Sequence, residues 1–132
     1  MDQQNKIILS LGSNYHKEEN MKRAVVLLQA CFASLRFSEA IYTEPIGCPQ
    51  SKETFLNQVA IGNTTHNFEE VHVALKEFEK QLGRKAEDKQ MGRIPIDIDL
   101  LQWNEEVLKP MDLKREDVIS GLDSLLSAGE PT

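Results

Sequence analysis

The chain predicts an α+β domain, and three observations carry that expectation. Residues 17–35 and 67–82 each place apolar side chains at helical spacing. Shorter apolar stretches flank them, so the order reads strand, helix, strand, strand, helix, strand. The last strand carries two aspartates, Asp97 and Asp99, at positions i and i+2, from which side chains leave the same face. At 132 residues the chain is expected to be a single domain with one self-sufficient core.

Residues 6–11, KIILSL, form the first strand candidate, and Gly12, Ser13 and Asn14 are expected to end it in a turn. Met21, Ala24, Val25, Leu28, Cys31, Phe32 and Leu35 then line one side of the first helix. Residues 37–42 are expected to form a second strand, followed by a loop marked by Pro45, Gly47 and Pro49. Residues 55–62 alternate as a third strand. Asn67, with Glu70 three residues on, has the pattern of a capping box, and Phe68, Val71, Leu75, Phe78 and Leu82 follow at helical spacing. Gly83 stands where a C-terminal cap belongs. Residues 84–93 read as a mobile basic loop, and residues 95–103 as the fourth strand, with Trp103 at its end against the closing segment. Val118, Ile119, Leu122, Leu125 and Leu126 suggest a short closing helix. This order is the ferredoxin-like βαββαβ plan, an antiparallel sheet with both helices on one face. The opposite face, bearing Asp97 and Asp99, would then lie open to a ligand.

A net charge of −6 argues against nucleic acid as a partner. The N-terminal residues are polar, and no apolar run approaches the ~18 residues of a membrane span, so neither a signal peptide nor a membrane partner is expected. Cys31 and Cys48 lack CxxC spacing and read as reduced thiols of a cytoplasmic protein. His16, His66 and His72 lack metal-ligand spacing and read as structural or solvent-facing. The expected oligomeric state is a monomer or a weak dimer.

Four features carry possible chemistry. Two adjacent carboxylates repel unless a cation or a shared proton relieves them, and Mg²⁺ with its oxygen ligands is the natural relief. Alone, such a pair is also compatible with a solvated strand. Arg84, Lys85, Lys89 and Arg93 precede it, as mobile cations beside a metal-bound phosphate would, or as an ordinary charged loop. Phe55 and Asn57 offer a planar heterocycle an aromatic face and a bidentate amide, though they also suit a core residue beside a surface one. Gly12-Ser13-Asn14 either approaches a ligand closely or simply turns the chain.

Together, KIILSLGSN, YTEPIG, ETFLNQVAI, FEKQLGR and IDIDLL resemble the 6-hydroxymethyl-7,8-dihydropterin pyrophosphokinase family of folate biosynthesis, over residues 6–108. The resemblance implies a ferredoxin-like fold and transfer of pyrophosphate from the substrate ATP to a reduced pterin. It implies two Mg²⁺ ions held by Asp97 and Asp99, a pterin site of Phe55, Asn57, Thr43, Glu44 and Ile46, and Glu79, Arg84 and Ile98 near the nucleotide. Arg84 and Arg93 would be the catalytic-loop arginines beside Asp97 and Asp99. The pattern also departs from the family. Its second loop arginine would fall at Ile94, whereas Arg93 lies one residue earlier, and one step along an extended segment turns a side chain to the other face. Met91 stands where family loops often carry an aromatic. Pro110 has no following His, and Lys114 and Arg115 stand in for a basic C-terminal segment in what reads as a shortened, partly divergent member. The departures leave a second reading open, a degenerate member that binds nucleotide or pterin without catalysis.

Overall fold

The computed structural model describes residues 4–44 and 54–128. Strand β1 (Asn5–Ser13) leads into helix α1 (Lys17–Cys31), and two short strands follow, β2 (Arg36–Phe37) and β3 (Ile41–Thr43). Strand β4 (Phe55–Thr64), helix α2 (Phe68–Gln81), the short helix α3 (Ala86–Gln90) and strand β5 (Asp97–Trp103) come next. The chain then forms β6 (Glu106–Val107), α4 (Pro110–Leu113) and α5 (Glu116–Ala128). The strands build one sheet in the order β2-β4-β1-β5-β6, with β3 also on β4, and every pairing is antiparallel. The fold is therefore α+β and ferredoxin-like, as the element order predicts. Among the described residues no helix is long and apolar enough to cross a membrane.

Alternation along the strands divides the core in two. On one face, Ile7, Leu9 and Leu11 of β1, Leu56 and Ala60 of β4, and Ile98 and Leu100 of β5 pack against Met21, Ala24 and Leu28 of α1 and Val71 and Leu75 of α2. On the other, Ile8, Val59, Ile61 and Leu101 pack against Val118 and Leu125 of α5. Here the structure corrects the two-layer expectation. The closing helix lies across the second face and covers the half of the sheet that carries these apolar residues. Among the described residues, no helix covers the end of the sheet bearing Asp97 and Asp99.

Other differences are local. Gly12 and Ser13 continue β1, because Gly12 is paired on both sides, with Asn57 and Asp97. Helix α1 stops at Cys31, and Phe32 and Leu35 reach the core from a turn closed by the Leu35 N–H on the Phe32 carbonyl. The second strand is broken into β2 and β3, where Ser38 turns inward and its hydroxyl accepts from the Val59 N–H. Asn67 forms the expected capping box, its Oδ1 accepting from the Glu70 N–H and its own N–H donating to Glu70 Oε1, both at 2.9 Å. The register of β1 on β5 leaves Leu101 unpaired between Leu9↔Leu100 and Ile8↔Gln102, a bulge. That extra residue turns Trp103 toward α2, where it meets Phe68 edge-on at 5.6 Å rather than the closing segment.

Candidate active site

Three strands present one row of functional groups. Across the sheet, Asn57, Gly12 and Asp97 are direct neighbours, and Ser10 lies opposite Asp99 in the next row of that face. Gly12 matters by having no side chain: a Cβ there would stand 3.2 Å from Asn57 Oδ1 and 3.9 Å from the Phe55 ring. The result is a cleft of about 150 Å³ with Phe55 and Asn57 at one end and Asp97 and Asp99 at the other. Thr43, Glu44, Ile94, Arg115 and Asp117 complete its walls. Asn57 is 9% exposed and its Nδ2 donates to the Thr43 hydroxyl, which fixes the amide with its oxygen toward Gly12.

The electrostatics of the acidic end follow from how α2 terminates. Gly83 adopts φ +95°, and the Arg84 N–H bonds the Glu79 carbonyl while the Gly83 N–H bonds that of Lys80. This is a Schellman closure, which only a residue tolerant of left-handed φ makes cheaply. It brings Arg84 back over the helix end, so one guanidinium nitrogen donates to Glu79 Oε2 at 2.9 Å and to Asp97 Oδ1 at 2.8 Å. Glu79 is 4% exposed, and the same Oε2 accepts from the Ile98 N–H at 2.7 Å. Burial pushes the Glu79 carboxyl above its ordinary value, against the Ile98 amide and Arg84, which favour the anion. Asp99 is pushed up to about 7, first by burial and then by the charge and hydrogen bond of Asp97, with Lys109 opposing. Among the described residues no ion pair reaches Asp99.

A scan of the sequence against the 7,8-dihydro-6-hydroxymethylpterin-pyrophosphokinase family matches residues 8–126. The chain belongs to that family. It is 31% identical to a folate synthesis bifunctional protein of Arabidopsis thaliana over 97 residues, covering 72% of this chain and 20% of that protein. A folate synthesis bifunctional protein of Chlamydia caviae is 31% identical over 114 residues, covering 82% and 26%. The chain thus spans about a fifth to a quarter of the length of these curated relatives. The pyrophosphokinase family uses ATP and Mg²⁺ and acts in folate synthesis.

Set against the family pattern, Phe55, Asn57, Thr43, Glu44, Asp97 and Asp99 are brought together in the cleft, and Arg84 reaches it through Asp97. Two expected residues stand elsewhere. Arg93 does not line the cleft: it faces a separate cavity, with its guanidinium 5.2 Å from the Tyr15 ring centre and 3.5 Å from Asp88 Oδ1. The one-residue offset has turned it to the other side of the segment, and Ile94 takes the cleft position. Ile98 is 2% exposed, its side chain in the helix-side core and its N–H on Glu79. Ile46 lies outside the described residues. The expected mobile loop contains α3 and is closed by the Arg93 N–H on the Asp88 carbonyl at 2.8 Å.

Ser10 and Asp117 escaped the sequence reading. Ser10 had a signal, since it is the one polar residue between Ile7 and Leu11 and shares the strand parity of Gly12. Asp117 had none, because it enters only through the placement of α5. It holds Arg115 at 2.9 Å in the cleft wall. Among the described residues no three His, Cys, Asp or Glu side chains gather around one point. The donor set still fits a hard divalent cation. Mg²⁺ is commonly bound through one or two carboxylates, with water and substrate phosphates filling its shell, and the charge of Asp97 beside the partly buried Asp99 carboxyl is a repulsion that such a cation would relieve.

Proposed function

We propose that this protein transfers pyrophosphate from ATP to 6-hydroxymethyl-7,8-dihydropterin. The observation that supports it is the row Asn57–Gly12–Asp97, which sets a site for a flat heterocycle beside an acid pair on one uncovered end of a sheet. Phe55 would face the pterin ring, and Asn57, already oriented by Thr43, would accept from its edge. Asp97 and Asp99 would hold two Mg²⁺ ions, whose charge neutralises the polyphosphate. Arg84 would turn toward the phosphates from its place on Asp97. Beyond it a cavity of about 410 Å³, lined by Lys76, Glu79, Lys80, Arg84, Lys85 and Ala86, has the cationic character a nucleotide phosphate chain requires. In the reaction the pterin hydroxyl oxygen bonds to the β-phosphorus, the α–β bridging bond breaks, AMP leaves and the hydroxyl proton is lost. The chain's own contribution is position and charge, which is most of what phosphoryl chemistry asks of a protein.

Mixing the protein with Mg-ATP and the hydroxymethyl-dihydropterin should release AMP. Asp97→Ala should abolish the release, and Arg84→Ala should slow it by about 10³-fold or more. An intact protein that yields no AMP removes this reading. The placement of Arg93 favours a second one, a family member that binds nucleotide or pterin without turnover. Calorimetry separates the two: Mg-dependent ATP binding without product supports the second, and no binding of either ligand excludes both.

A further inference from the structure

The turn between β1 and α1 makes contacts that neither the cleft nor the core explains. Asn14 is 5% exposed and more than 75 residues in sequence from the groups it binds. Its Nδ2 donates to the Gly92 carbonyl at 2.7 Å, and its Oδ1 accepts from the Ile94 N–H at 2.6 Å. Its own N–H donates to the Ile94 carbonyl at 2.9 Å. An amide side chain that offers one donor and one acceptor to a passing backbone imitates a strand neighbour, so Asn14 extends the β1–β5 pairing past the end of the sheet. The neighbouring Tyr15 ring lies under Arg93, and its carbonyl is held by Ser13 Oγ at 3.2 Å and Asn20 Nδ2 at 2.8 Å. The segment gripped this way joins Arg84, at the far end of the loop, to Asp97, three residues beyond Ile94.

The same turn reaches the opposite rim of the cleft. Lys17 Nζ donates to the Thr54 carbonyl and hydroxyl at 3.2 and 3.0 Å, directly before Phe55. The Tyr42 hydroxyl donates to Glu18 at 2.8 Å, directly before Thr43. One short stretch, residues 14–18, therefore holds both the approach to Asp97 and the two strands that carry the pterin-facing residues.

From these contacts we infer that Asn14 is a positioning residue: it fixes the end of the 84–94 segment so that Asp97 and Arg84 face the cleft in a set geometry. The inference rests on the pyrophosphokinase reading. Reacting groups must be placed within a few tenths of an ångström, and a displacement of about 1 Å costs about 100-fold in rate. Asn14→Ala removes the side-chain bonds to Gly92 and Ile94, whereas Asn14→Asp keeps the acceptor for Ile94 and loses the donor to Gly92.

The test combines kinetics with amide hydrogen exchange. Asn14→Ala should lower kcat about 10- to 100-fold while KM for the pterin stays within about twofold. Asn14→Asp should fall between that variant and wild type. In exchange, the amides of Gly92, Arg93, Ile94 and Ile96 should lose at least about tenfold protection in Asn14→Ala, with the β1–β4 amides unchanged. A folded Asn14→Ala with wild-type kcat, or with unaltered exchange at 92–96, overturns the inference. Should that variant not fold, the wild type decides: an Ile94 amide exchanging as fast as those of residues 85–87 overturns it. A wild type without AMP release sinks the pyrophosphokinase reading instead, and the exchange comparison still judges Asn14.

Discussion

Binding of Mg-ATP should depend on pH through Asp99, and the dependence has a definite size. With its carboxyl pushed up to about 7, Asp99 is about one-tenth ionised at pH 6 and about nine-tenths at pH 8. A cation that needs the anion must displace the proton first, so apparent affinity should rise about tenfold between those pH values. Close to one proton should be released per binding event at pH 6 and almost none at pH 8. Titration calorimetry in two buffers of different ionisation enthalpy measures both quantities. Stability of the ligand-free protein should move the opposite way. A carboxyl raised above its unfolded value of about 3.9 favours the fold while protonated, so its contribution is full below about pH 4 and is lost as pH rises through about 7. Glu79 shifts in the same sense. After solvent screening of a partly exposed pair, the loss from Asp99 should be on the order of 1–2 kcal/mol, recoverable at pH 8 by adding Mg²⁺ with ATP. Asp99→Asn should flatten the stability profile and weaken metal-dependent binding at every pH. Equal affinity at pH 6 and pH 8, with no proton released, would refute the reasoning.

Two glycines test the cleft and the second layer. Gly12→Ala would place a methyl group 3.2 Å from Asn57 Oδ1. Steady-state kinetics should show KM for the pterin raised about tenfold or more with ATP affinity nearly unchanged, and an unaltered pterin KM contradicts the assigned orientation of the cleft. Gly121→Ala would bring its Cβ within 2.5 Å of Val59 Cγ2 and 3.1 Å of Ser38 Oγ, forcing α5 away from the sheet. Thermal unfolding should report about 1–3 kcal/mol of destabilisation, and an unchanged Tm contradicts the close seating of α5.

Much of this molecule was legible in the chain. The helical spacing of Phe68, Val71, Leu75 and Phe78, with the Asn67–Glu70 cap and Gly83, specified α2 because each signal acts within a turn or two of itself. The parity of Asp97 and Asp99 likewise specified a shared face, which holds wherever the strand lies in the sheet. Gly12 misled for the same local reason. Its turn-forming chemistry was visible, but the strands on either side of it that demanded a residue without a side chain were not.

What the chain determined by itself was periodicity: which stretches are helix or strand, and which side chains share a face. Tertiary structure alone decided which faces meet. It laid α5 over half of the second face, turned Arg93 toward Tyr15 and away from the acids, and set Asn14 against residues 92–94. The physical reason is distance along the chain. Periodicity arises from neighbours within about four residues, whereas the Asn14 bonds join segments 78 and 80 residues apart, through strand register and loop path.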